Sequence, residues 1–159
     1  MESTHPSLRT RLITALFAPV DGASVVTFRI LFYAIVAWEA WRFIELDWVG
    51  MFYSDIEFYF TYWPFDFIHP WPGNGMIIHL WVLAGVALCA MCGVFYRLSA
   101  TACFLLFTYV FLLEKARYIN HIYLTCLLTF MMIFLPVHRT WSFDAWRRPG
   151  LRSAVVPAW

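Results

Sequence analysis

Tyr109–Leu124 reads YVFLLEKARYINHIYL and sets Glu114, Lys115, Arg117, Asn120 and His121 between two apolar runs. An acid, two cations, an amide and an imidazole in so short a stretch can donate to, accept from and orient a ligand that carries oxygens. Three more polar side chains sit inside other apolar runs. Glu39 and Arg42 are three residues apart, which puts them on one helical face and lets them pair. His79 lies near the start of its run. Ionisable groups at membrane depth are costly to keep, which makes each of them a functional candidate. Each also has a plainer reading. Glu114, Lys115 and Arg117 can be a solvated hairpin, Glu39 and Arg42 a structural pair, His79 interfacial packing, and Asn120 a helix cap. Cys89, Cys92, Cys103 and Cys126 lie within apolar runs without a second cysteine pair or histidine cluster at zinc-like spacing, and are expected to be buried free thiols. No metal site is expected.

The runs that must position these groups are membrane-length. Of the 159 residues, 62% are hydrophobic and only 13% charged, against about 25% charged in an average soluble domain. The net charge of +1 offers no concentrated basic face for nucleic acid. The composition therefore predicts an all-α membrane protein with the lipid bilayer as its solvent. Four transmembrane helices are predicted at about 24–45, 76–95, 99–113 and 119–135, the last stopped by Pro136. Arg29, near the start of the first, is expected to snorkel to the interface. Residues 46–75 hold no Lys or Arg and are dense in aromatic rings, with Pro64, Pro70 and Pro72 interrupting them. This aromatic-rich interfacial loop is expected to lie along the membrane surface as short helices.

The organisation that follows is an interfacial cytoplasmic segment at 1–23, a four-span bundle at 24–136 and a basic cytoplasmic tail at 137–159. Arg9, Arg11, Arg97, Arg139, Arg147, Arg148 and Arg152 then share one side against Lys115 and Arg117 on the other. The excess of cations predicts that both termini are cytoplasmic. The same topology brings Glu39, Arg42, His79, Asn120 and His121 to one outer level, beneath the aromatic loop.

Several stretches together resemble a known family. Phe28-Arg29 with Leu31-Phe32 opens the first span, and Gly93, Tyr96-Arg97 and Ser99 form a turn. Tyr109–Leu113 precedes an acid and Lys115, followed by Asn120-His121 and Tyr123-Leu124. Trp141-Ser142 and Asp144 come after the fourth span. In this order they resemble the horizontally transferred transmembrane (HTTM) domain and the transmembrane part of vitamin K-dependent gamma-carboxylases, from about Ala23 onward. The resemblance implies descent from a quinone-dependent carboxylase. Its bacterial relatives imply a place in the bacterial inner membrane. It places a quinone near Asn120 and His121, and the outer level read from the topology adds Glu39, Arg42 and His79 as the other residues expected around a quinone or lipid. The family's catalytic lysine belongs to a further membrane segment beyond Trp159, so carboxylation by this polypeptide alone is not expected. Two readings remain: a non-catalytic accessory subunit that packs with other membrane subunits, and one part of a carboxylase-like enzyme with an outer-leaflet quinone pocket.

Overall fold

The computed structural model describes residues 9, 19–54, 60–113, 115–117, 119–151 and 155–157. Four long helices dominate: α1 (Ala23–Glu45), α2 (Gly75–Cys92), α3 (Tyr96–Leu112) and α4 (Asn120–Phe134). A short helix, α5 (Phe143–Arg147), follows them. Each long helix coincides to within a few residues with one of the apolar runs. The first two are long and apolar enough to cross a membrane, and the other two are shorter apolar helices. With 17 and 15 residues, α3 and α4 are about 26 and 22 Å long. That falls short of a hydrocarbon core of about 30 Å.

Helical spacing sorts each surface. On α1, Val26, Arg29, Tyr33, Val36, Ala37 and Ala40 are buried, whereas Phe28, Leu31, Ile35 and Trp38 point outward. On α2, Ala84, Ala87 and Ala90 line the buried stripe, and such small side chains let neighbouring helix backbones approach closely. Consecutive helices pack in order, α1 on α2, α2 on α3 and α3 on α4. The outward rows of Leu, Ile, Phe and Trp are far larger than the isolated apolar residues a water-facing monomer tolerates. They suit lipid.

The loop after α1 differs from expectation. Among the described residues it contains a π-helical turn at Gly50–Ser54, and from Phe60 to Asn74 it runs as turns and irregular chain. Prolines at 64, 70 and 72 prevent a regular surface helix there. Stacked rings organise it instead, with Tyr62 on Phe111 at 5.4 Å and Trp71 on Tyr109 at 5.6 Å. Most of the interfacial segment expected at 1–23 lies outside the described residues. A short pairing was also not foreseen: β1 (Pro19–Asp21) runs antiparallel to β2 (Val155–Pro157).

The segment after α4 folds back onto the bundle instead of trailing away from it. Arg29, expected to snorkel, has no exposed surface. Its Nη1 donates to the Val137 carbonyl at 2.5 Å and its Nη2 to the Trp141 carbonyl at 2.6 Å. The side chain turns inward because the carbonyls beyond the end of α4 have no helical partners and offer it acceptors inside the fold. Asp144 then closes the other side. Its carboxylate accepts from the Phe95 and Tyr96 backbone amides at 3.1 and 2.8 Å, which caps α3 from α5. Replacing Asp144 by alanine is expected to lower stability by about 1–2 kcal/mol, the usual effect of losing a charged helix cap. A midpoint unchanged in detergent thermal unfolding would refute that role.

Candidate functional site

Each candidate side chain can be followed from its helix. Near the end of α1, Glu39 and Arg42 form an ion pair at 2.8 Å, with side chains 38% and 39% exposed. The Arg42 guanidinium also lies 4.9 Å from the centre of the Trp48 ring. At that exposure the pair holds a surface geometry, not an enclosed charge.

His79 is placed differently. It is buried in the first turns of α2 and its Nε2 lies 3.0 Å from the Leu106 carbonyl on α3. A carbonyl only accepts, so Nε2 carries the proton and Nδ1 of the neutral ring is an acceptor. The imidazole packs 4.8 Å from the Tyr109 ring, and the Tyr109 hydroxyl donates to the His69 carbonyl at 2.6 Å. Trp71, Pro72, Gly75, Ile78, His79, Val82 and Leu106 line an open groove of about 450 Å³ along this seam. Its walls are apolar apart from the imidazole and the Trp71 indole N–H, a composition that admits a lipid-like molecule.

Asn120 and His121 begin α4, and both are exposed. Asn120 does not cap the helix: the N-cap is Ile119 in extended conformation, without a side-chain cap. Among the described residues neither the Asn120 nor the His121 side chain makes a hydrogen bond, and no polar or ring contact joins them to Glu39, Arg42 or His79. Glu114 lies outside the described residues; Lys115 is exposed, and its backbone amide donates to the Phe60 carbonyl at 2.7 Å. The structure thus joins Glu39 to Arg42 and sets His79 in the α2–α3 seam, while Asn120 and His121 stand apart on the surface of α4.

No group of three or more His, Cys, Asp or Glu side chains suited to a metal occurs among the described residues. All four cysteines are free. Cys103 and Cys126 are buried as expected, but Cys89 and Cys92 are exposed on α2. The correction follows from helical phase, because both fall off the stripe that carries Ala84, Ala87 and Ala90.

The densest polar network lies at the opposite end of the bundle, where α1 and α3 begin and α2 and α4 end. Besides Arg29 and Asp144 it includes Tyr96, whose hydroxyl donates to the Met132 carbonyl at 2.7 Å, and Arg97, whose Nη1 donates to the Ile133 carbonyl at 2.8 Å. His138 stacks on Tyr96 at 5.6 Å. Burial first, and then the Arg97 guanidinium, hold its imidazole below the usual histidine range. Arg29 was readable from the sequence as an intramembrane charge, but its partners are backbone carbonyls and carry no sequence signature.

Compared with known protein families, residues 17–159 match the HTTM domain. No solved structure matches the chain.

Proposed function

The chain belongs to the HTTM domain family, and on that premise we propose that it is a four-span membrane subunit that packs, without catalysing a reaction itself, against other subunits of a larger membrane complex. The observation that carries this reading is the position of Asn120 and His121. Both stand exposed at the start of α4, beside the outward Tyr123, Leu124 and Leu127. Polar side chains at a membrane helix surface are commonly satisfied by a neighbouring helix, which makes them points of attachment. The cation-rich end bearing Arg97, Arg139, Arg147 and Arg148 faces the cytoplasm, and both termini lie on that side.

The groove beside His79 favours a second reading, in which the domain is part of a carboxylase-like enzyme and the apolar seam takes a quinone. One pair of substitutions separates the two. In the Asn120→Ala/His121→Ala variant, recovery of the domain in its native high-mass membrane assembly is expected to fall by about tenfold, while quinone retained by the purified protein stays the same. Native gels and extracted quinone measure the two quantities. Intact assembly of this double variant, together with quinone lost from His79→Ala at the groove, would favour the carboxylase reading, and no change in either quantity in the double variant would reject Asn120 and His121 as functional groups.

A further inference from the structure

We propose that Arg139, Trp141, Trp146, Arg147 and Arg148 form a binding site for the headgroups of anionic phospholipids. The inference uses only the membrane setting and stands apart from the accessory-subunit reading. The cations gather at one end of the bundle. Arg147 lies 5.6 Å from the centre of the Phe95 ring at the α2–α3 turn, and α5 is tied to that same turn through Asp144. Arg139 adjoins His138, which stacks on Tyr96 at the start of α3.

Among the described residues these charges lack an acidic partner. Asp144 is the only acid between Val137 and Leu151, and its two oxygens accept backbone amides. No ion pair to Arg139, Arg147 or Arg148 occurs among the described residues, and all three are exposed. They are open to an anion from outside. The rings point to its source, because Trp141 is 83% and Trp146 67% exposed, each within two residues of an arginine in the chain. Indoles favour the headgroup layer, where one lipid offers a phosphate to the cations and glycerol and acyl carbons to the rings. The platform is also fixed in advance. Arg29 holds the Trp141 carbonyl, and the Ser142 hydroxyl accepts the Ala145 amide at 3.0 Å.

The test is native mass spectrometry of the delipidated full chain in detergent, titrated with phosphatidylglycerol or phosphatidylcholine of identical acyl chains. Phosphatidylglycerol is expected to bind about a hundredfold more tightly, from three cations near the membrane surface. Arg139→Gln/Arg147→Gln/Arg148→Gln should abolish the preference, the matching Lys variant should keep most of it, and Lys115→Gln at the opposite end should leave it intact. Equal binding of the two lipids, or a preference surviving in the Gln variant, would overturn the site. Displacement of the lipid by inorganic phosphate or by a poly-glutamate peptide would overturn its assignment to lipid. Should the Gln variant not fold, the Lys variant in rising salt decides the question: a preference that does not weaken overturns the proposal.

Discussion

Arg29→Met is expected to destabilise the bundle by about 3 kcal/mol, which is a large share of the stability of a small domain. Methionine fills much of the volume but cannot donate. The change removes two short charge-assisted hydrogen bonds, to Val137 and Trp141, each worth about 1.5–3 kcal/mol net. Val137 is itself buried, so its carbonyl would be left without a donor away from water. An opposing gain limits the loss. The guanidinium is fully buried, has no ion pair among the described residues, and its Nε lacks a partner, so removing it relieves a desolvation cost. Arg29→Lys separates geometry from charge, because a single ammonium cannot fork to two carbonyls as a guanidinium does. It should recover less than half of the loss. Reversible denaturation in mixed micelles measures all three proteins. A loss below about 1 kcal/mol for methionine would mean that the segment after α4 stays docked without Arg29.

This clasp also shows what the sequence could and could not convey. Runs of apolar residues fix where helices lie, and the observed α1 and α4 fall almost where those runs do. Periodicity likewise separates Val26, Tyr33 and Val36, which face inward, from Phe28, Leu31 and Ile35. What a charge inside such a run does is a different matter. Arg29 stands close enough to the start of α1 to reach water, and that reading failed because its acceptors lie 108 and 112 residues away. Backbone acceptors look the same at every residue, so no side-chain pattern marks them. The β1–β2 pairing is hidden for the same reason. The outer level raises a subtler point. The order of the helices brings the end of α1, the start of α2 and the start of α4 toward one end, but a shared depth is not a shared face. Glu39 and Arg42 find each other along one helix, whereas Asn120 and His121 are exposed at the start of α4. Of the residues that carry the family resemblance, Arg29, Gly93, Tyr96, Ser142 and Asp144 converge at the cation-rich end. There the motif specifies how the chain closes.

Gly93→Ala should be nearly as damaging as the loss of Arg29, at about 2–3 kcal/mol, and for reasons that do not involve charge. Gly93 ends α2 with φ +68°, and the bonds from its amide to Ala90 and from the Val94 amide to Cys89 complete a Schellman motif. An L-residue in that conformation costs about 1–2 kcal/mol. Space adds to this, because an added Cβ would lie 2.4 Å from the Ser142 Cβ and 3.2 Å from its Cα. Ser142 cannot simply rotate away, because the colliding atoms belong to its backbone and first carbon. Its hydroxyl donates to the His138 carbonyl and accepts from Ala145, and the Asp144 amide donates to the Gly93 carbonyl at 3.1 Å. Two other left-handed residues border this contact, Phe95 at φ +44° in the turn and Trp141 at φ +48° next to Ser142, so little freedom remains to absorb a shift. Displacing Ser142 would carry Asp144 off the start of α3 and draw the Trp141 carbonyl away from Arg29. The two substitutions therefore strike one cooperative unit, and combining Gly93→Ala with Arg29→Met should cost less than the sum of the two. Strict additivity in a double-mutant cycle would show that the turn and the guanidinium act independently, and that the clasp is two separate contacts.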